Sequence, residues 1–131
     1  MNFQKIGFIG LGLIGGSIAK KIKANCPETQ IYATAHHIET IQEAYKEGII
    51  ENSNLLSMSD FSECDCIFLC APVQRNLDYL AQLKDIIKKD CYITDVGSTK
   101  TEIHEEVIRL DMEANFIGGH PQRWGYVYLF P

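Results

Sequence analysis

The sequence predicts an α/β domain built on a doubly wound parallel sheet. Three observations carry this expectation. Short runs that are apolar nearly throughout, such as residues 66–70, have the character of strands buried on both faces. Each run precedes a stretch with apolar residues at helical spacing, and that alternation implies βαβ crossovers of right-handed sense. The 131 residues, 46% hydrophobic and 22% charged, suit a single core and exclude collagen-like, low-complexity and disordered chains.

Taken in order, residues 5–10 form the first strand. Residues 13–24 form a helix with Ile14, Ile18, Ala19 and Ile22 on one face. Residues 30–35 form a second strand. Residues 38–47 form a helix that turns Ile41, Ala44 and Tyr45 inward and stops at Gly48. The stretch 49–58 is irregular, with room for a short strand. Residues 66–70 form a compact buried strand, ended by Ala71-Pro72. A helix over 75–88 follows through Leu77, Leu80, Leu83, Ile86 and Ile87. Residues 91–95 form a further strand, 101–110 a helix, and 115–118 a last short strand. No internal repeat or low-complexity linker interrupts this series.

The segment Gly10-Leu11-Gly12-Leu13-Ile14-Gly15 joins the first strand to the first helix. A G-x-G-x-x-G pattern alone is weak, but this strand–turn–helix setting is its confirming context. Gly10 permits the tight turn, Gly12 lets backbone approach a pyrophosphate, and Gly15 lets helix and strand pack closely. The helix N-terminus then offers free N–H groups and a partial positive charge to phosphates. The expected fold is therefore of the Rossmann, dinucleotide-binding type.

An acidic residue about 20 positions on would bind the ribose 2′-hydroxyl of NAD. Here the second strand ends in Ala35, followed by His36 and His37, and the nearest carboxylate, Glu39, lies in the next helix. Nothing at that point repels a 2′-phosphate, and Thr34, His36 and His37 can donate hydrogen bonds to one. NADP is favoured over NAD. The plain alternative for both histidines is an ordinary polar strand-to-helix loop.

With Lys+Arg 12 and Asp+Glu 17, the formal net charge is -5. No basic patch repairs this, so nucleic acid and anionic membrane are not expected partners. Lys20, Lys21 and Lys23 read as a solvated face. The five cysteines, Cys26, Cys64, Cys66, Cys70 and Cys91, include no C-x-x-C and read as reduced thiols of a cytoplasmic protein rather than disulfides or metal ligands. The glycine-broken N-terminus does not fit a signal peptide. No run of roughly 18 apolar residues suggests a membrane span. His104-Glu105-Glu106 lacks the second histidine of a zinc-protease helix, since position 108 is Ile108. P-loop and G-x-S-x-G patterns are absent. Glu102, Glu105 and Glu106 read as a solvated helix face.

Four segments resemble the cofactor domain of the prephenate/arogenate dehydrogenase family. They are the glycine-rich opening from Ile6 to Ser17, Phe68-Leu69-Cys70-Ala71-Pro72-Val73, Thr94-Asp95-Val96-Gly97-Ser98-Thr99-Lys100 and Phe116-Ile117-Gly118-Gly119-His120-Pro121. In order and spacing they run from Ile6 to Pro121, which is far more specific than the glycine motif alone. The resemblance implies an NAD(P)-dependent oxidative decarboxylation of a cyclohexadienyl substrate, prephenate or arogenate, in tyrosine biosynthesis. It implies that His120 meets the substrate hydroxyl and that Ser98 places this histidine and the substrate. It also implies that Ala71, Pro72 and Gly97 lie along the cofactor, and that the intact enzyme is a homodimer. The residue types agree: a neutral imidazole near its ordinary pKa of ~6.5 can accept a hydroxyl proton at physiological pH, and a serine hydroxyl can orient it. Ser98 also suits the N-cap of the helix 101–110. Lys100 reads first as a solvated loop lysine, with positive charge near an acidic substrate as the other reading, and Asp95 holds loop backbone.

Past Pro121 the pattern breaks. The family continues with Met-Ala-Gly and an acidic residue, whereas this chain reads Gln122-Arg123-Trp124-Gly125 and ends at Pro131. The expectation is a nucleotide-binding domain over residues 1–121 and an atypical tail over 122–131. The family's helical dimerisation and substrate domain is expected to be absent, and the chain is expected to be inactive alone. Two other readings stay open: a β-hydroxyacid-type dehydrogenase, and a non-catalytic NAD(P)-binding interaction module.

Overall fold

The computed structural model describes residues 3–96 and 101–117. Its elements are β1 (Lys5–Ile9), α1 (Leu13–Asn25), β2 (Gln30–Thr34), α2 (Ile38–Lys46), a 3-10 turn (Met58–Phe61), β3 (Cys66–Leu69), α3 (Val73–Leu83), β4 (Tyr92–Asp95) and α4 (Thr101–Arg109). The strands form one sheet in the order β2-β1-β3-β4. Every pairing is parallel, with Phe8 opposite both Ala33 and Phe68, and Leu69 opposite Asp95. The chain winds outward from β1 in both directions. The switch point therefore lies between the C-terminal ends of β1 and β3.

Alternation along each strand builds two cores. Ile6, Phe8, Cys66 and Phe68 face α1 and α2, burying against Ala19, Ile22, Ile41 and Ala44. Phe8 and Phe68 stack there with centroids 4.8 Å apart. Ile9, Ile67, Leu69 and Ile93 face α3 and α4, against Leu80, Leu83, Ile103 and Val107. Full burial of such side chains stabilises by roughly 1.5–3 kcal/mol each. Gly7 is required on the second face, because a Cβ there would lie 2.5 Å from Phe61 Cδ1.

All five cysteines are free thiols, with Cys64, Cys66 and Cys91 buried. Burial pushes Cys64 and Cys91 up to about 12 and Cys66 well above its ordinary value, so all three stay protonated. Among the described residues no helix is long and apolar enough to cross a membrane.

Several elements differ from the sequence expectation. The stretch 49–58 holds no strand. The outer edge of β2 is instead closed by side chains: Asn52 accepts from the Ala33 N–H at 3.0 Å and donates to its C=O at 2.8 Å, and Glu51 accepts from the Ile31 N–H at 3.0 Å. Lys23, expected on a solvated face, is part-buried and donates to the Thr29 carbonyl and to Glu51. Helix α3 starts at Val73, because Pro72 serves as its N-cap rather than as a preceding turn residue, and it ends at Leu83. Tyr45 is 48% exposed, outside the face that Ile41 and Ala44 bury. Of the last expected strand, the described residues 115–117 hold a parallel bridge, Ile93 to Phe116, at the β4 edge.

Candidate functional site

The turn after β1 is held from one side. The amides of Gly10 and Leu11 both donate to the Thr34 carbonyl at 2.9 Å, tying the glycine turn to the end of β2. Gly10 has φ +85°, and a Cβ there would meet Ala71 N and Cβ at 2.8 Å. Only glycine meets both conditions. Gly15 is buried beneath, where a Cβ would lie 2.9 Å from Cys70 Sγ. This close approach seats α1 on the end of β3.

Helix α1 has no side-chain cap; its N-cap is Gly12 in extended conformation. The first helical bond runs from the Gly16 N–H to the Gly12 carbonyl at 2.8 Å. The amides of Leu13, Ile14 and Gly15 precede it and have no acceptor within the helix. A Cβ on Gly12 would meet nothing nearer than Gly10 O at 3.9 Å. The amides therefore face an open approach, which is the arrangement a pyrophosphate needs.

Beside this turn runs a groove of about 410 Å³. Gly10, Gly12, Thr34, His36, Ala71 and Pro72, all anticipated from the sequence, line it. Leu13 lines a neighbouring depression instead, and its side chain is 93% exposed. Ile14, expected inward, is 57% exposed. His37 is the N-cap of α2 and meets His36 edge-on, with centroids 4.6 Å apart. Gly97, Ser98, Lys100 and His120 lie outside the described residues, as does the tail 122–131.

The groove also takes in residues outside the expected site, among them Leu56, Met58, Arg75 and Tyr79. Arg75 Nη1 lies 3.1 Å from His36 Nδ1. The sequence expectation already sets Arg75 in the first turn of this helix; what it lacks is the tertiary contact that brings Arg75 to His36. Under the groove, Asn76 is fully buried. Its Oδ1 accepts from the Ala71 N–H at 3.2 Å, and its Nδ2 donates to the Ala71 carbonyl and to Asp95 Oδ1, both at 2.8 Å. Asp95 thus holds loop backbone, through Asn76. Cys70 also lines the groove; burial, with Asp95 nearby, pushes its thiol up to about 12 and makes it a poor nucleophile.

An open parallel sheet with amides and a groove at its switch point defines a dinucleotide-binding α/β domain. The family model described as "Prephenate dehydrogenase, nucleotide-binding domain" matches residues 18–123, and the chain belongs to that family. It is 43% identical over 122 residues to prephenate dehydrogenase of Lactococcus lactis, covering 90% of this chain and 34% of that protein. It is 37% identical over 125 residues to prephenate dehydrogenase of Bacillus subtilis, covering 92% and 34%. The chain thus spans about a third of the length of these curated relatives. Among solved structures it resembles prephenate dehydrogenase from A. aeolicus in complex with hydroxyphenyl propionate and NAD+. The TM-score is 0.81 at 30% identity, over 92% of this chain and 42% of that one.

Proposed function

We propose that this chain forms the cofactor-binding part of an oxidative decarboxylase acting on prephenate or arogenate, with NADP favoured over NAD. The observation that carries the reading is the open amide cradle of Leu13, Ile14 and Gly15 beside Gly12, at the switch point of the sheet. The backbone from Gly10 to Gly15 holds the pyrophosphate. Thr34, His36 and His37 receive the ribose end, and Ala71, Pro72 and Gly97 line the approach. A dinucleotide bound there supplies the hydride acceptor for the oxidation. The preference for NADP is supported by the absence of a carboxylate from Thr34 to His37 and by Arg75 next to His36.

The substrate hydroxyl becomes acidic as its carbon is oxidised. His120 takes that proton in its neutral form, and Ser98 orients the imidazole. Loss of carbon dioxide leaves an aromatic ring. The relative bound to hydroxyphenyl propionate and NAD+ supports this substrate class. Tyrosine biosynthesis in the cytoplasm, by a homodimer of the whole protein, is the setting this reading implies. The test is the melting temperature of the chain with NADP and with NAD at millimolar concentration. A ligand at a hundredfold excess over its Kd stabilises by about 2.7 kcal/mol, so an upward shift is expected, larger for NADP. No shift with either nucleotide would overturn the reading.

A further inference from the structure

The corner of the groove after β2 lacks an acid and carries a cation that comes from elsewhere in the chain. Arg75 leaves the first turn of α3, and His36 follows β2, 39 positions earlier. Their contact joins the β2 side of the groove to the β3 side. A guanidinium has donors only, so Arg75 Nη1 donates and His36 Nδ1 accepts, which puts the imidazole proton on Nε2. Both side chains are exposed, and among the described residues Arg75 forms no ion pair. The corner therefore presents donors and one uncompensated positive charge, in a chain whose net charge is -5.

The rest of the groove gives this charge a context. Gly10 and Gly12 offer close backbone approach, while Leu56, Met58 and Tyr79 supply apolar wall, with Tyr79 one helical turn beyond Arg75. A nucleotide needs an apolar slot for its base and donors for its phosphates, and here a further cation remains over. The geometry points to Arg75 as the residue that selects the cofactor: with His36 it holds the 2′-phosphate of NADP, reaching it from α3 rather than from the β2 loop. The planar fork of arginine matches phosphate oxygens in pairs, which a lysine cannot reproduce. This assignment rests on the dinucleotide reading above and names the group that makes the choice.

A guanidinium can also stack on the adenine plane, a role that would serve NAD and NADP equally. Calorimetric titration of the chain with NADP, NAD, 2′,5′-ADP and 5′-AMP separates the two. Arg75→Ala is expected to weaken NADP and 2′,5′-ADP by roughly 10- to 100-fold, the value of a hydrogen bond to a charged group. NAD and 5′-AMP are expected to bind as before, and Arg75→Lys to recover part of the loss. The melting temperature without nucleotide is expected to stay unchanged, because the side chain is exposed. Equal losses for phosphorylated and unphosphorylated nucleotides would overturn the assignment in favour of stacking. No loss for any of them would overturn it as well, as would an unsubstituted chain that binds NAD as tightly as NADP. Failure of the unsubstituted chain to bind any of the four would overturn the dinucleotide reading itself, and the assignment with it, before any variant is made.

Discussion

The two ends of the parallel sheet each set an acidic side chain to work on backbone and use it differently. At the N-terminal end Asp65 Oδ2 accepts from the amides of Gln4 at 2.8 Å and Lys5 at 3.0 Å, while Oδ1 pairs with Lys88. The backbone donors there are consumed by protein. At the C-terminal end Asp95 is 2% exposed and works from below, through Asn76, on the loop at Ala71. Above it, Gly12 at the N-cap of α1, His36 and Arg75 border an open groove. One end spends its acid on closing backbone. The other keeps its acid under the floor and leaves donors at the surface, which is how a sheet end becomes an anion site.

The sharpest way to break that contrast is to remove the support under the groove. Asn76→Leu takes away an acceptor and two donations inside the core, including the amide donor to buried Asp95. The expected loss is about 3–5 kcal/mol in urea denaturation. A loss below about 1 kcal/mol, the worth of a single ordinary hydrogen bond, would show that the floor does not depend on this residue. Gly10→Ala comes next. It forces a side chain into a φ of +85° and against Ala71 backbone at 2.8 Å. Strain and overpacking together predict roughly 2–4 kcal/mol, read from the same denaturation curves.

The closed end is expected to be more forgiving. Asp65→Ala leaves two amides without their acceptor near the surface, at a cost of about 1–2 kcal/mol. Its pH dependence has a definite sign. Burial alone would raise the Asp65 pKa, but the Lys88 contact and the Lys5 and Gln4 amides outweigh it and hold the carboxyl below its ordinary value. The stabilisation is therefore fully present above the ordinary carboxylate range near pH 4 and fades as pH falls through the lowered folded value. Urea midpoints of the two chains should converge below about pH 4. Parallel curves down to acid pH would mean that Asp65 titrates as in the unfolded chain.

How much could be read in advance follows from the range of each interaction. Residues 66–70 marked β3 to within one residue, since a short continuous apolar run between Asp65 and Pro72 has few other solutions. The glycine turn was legible for the same reason: Gly10, Gly12 and Gly15 act on adjacent backbone. The closure of β2 by Glu51 and Asn52 was not, because it depends on side chains some 20 positions away in the chain. Arg75 is legible as a first-turn helix residue but not as a groove residue, because only the tertiary fold brings it to His36, 39 positions earlier. Leu56, Met58 and Tyr79 belong to the groove through the same topology.

The smallest expected change in stability carries the most about function. His36→Asp puts a carboxylate at the end of β2, the position where such a residue binds the ribose 2′-hydroxyl of NAD. His36 is exposed and its contact with Arg75 lies at the surface, so the folded chain should lose no more than about 0.5 kcal/mol. Nucleotide choice should nevertheless invert, because the new carboxylate repels a 2′-phosphate and also pairs with Arg75, removing the free cation. A side chain that can be exchanged without cost to the fold but not without changing the ligand is held in place by the ligand. Asn76 and Asp65 should behave in the opposite way. If His36→Asp instead lowers NADP and NAD affinity together, the histidine serves the groove as a whole, and the open end of the sheet does not discriminate between the two cofactors at this corner.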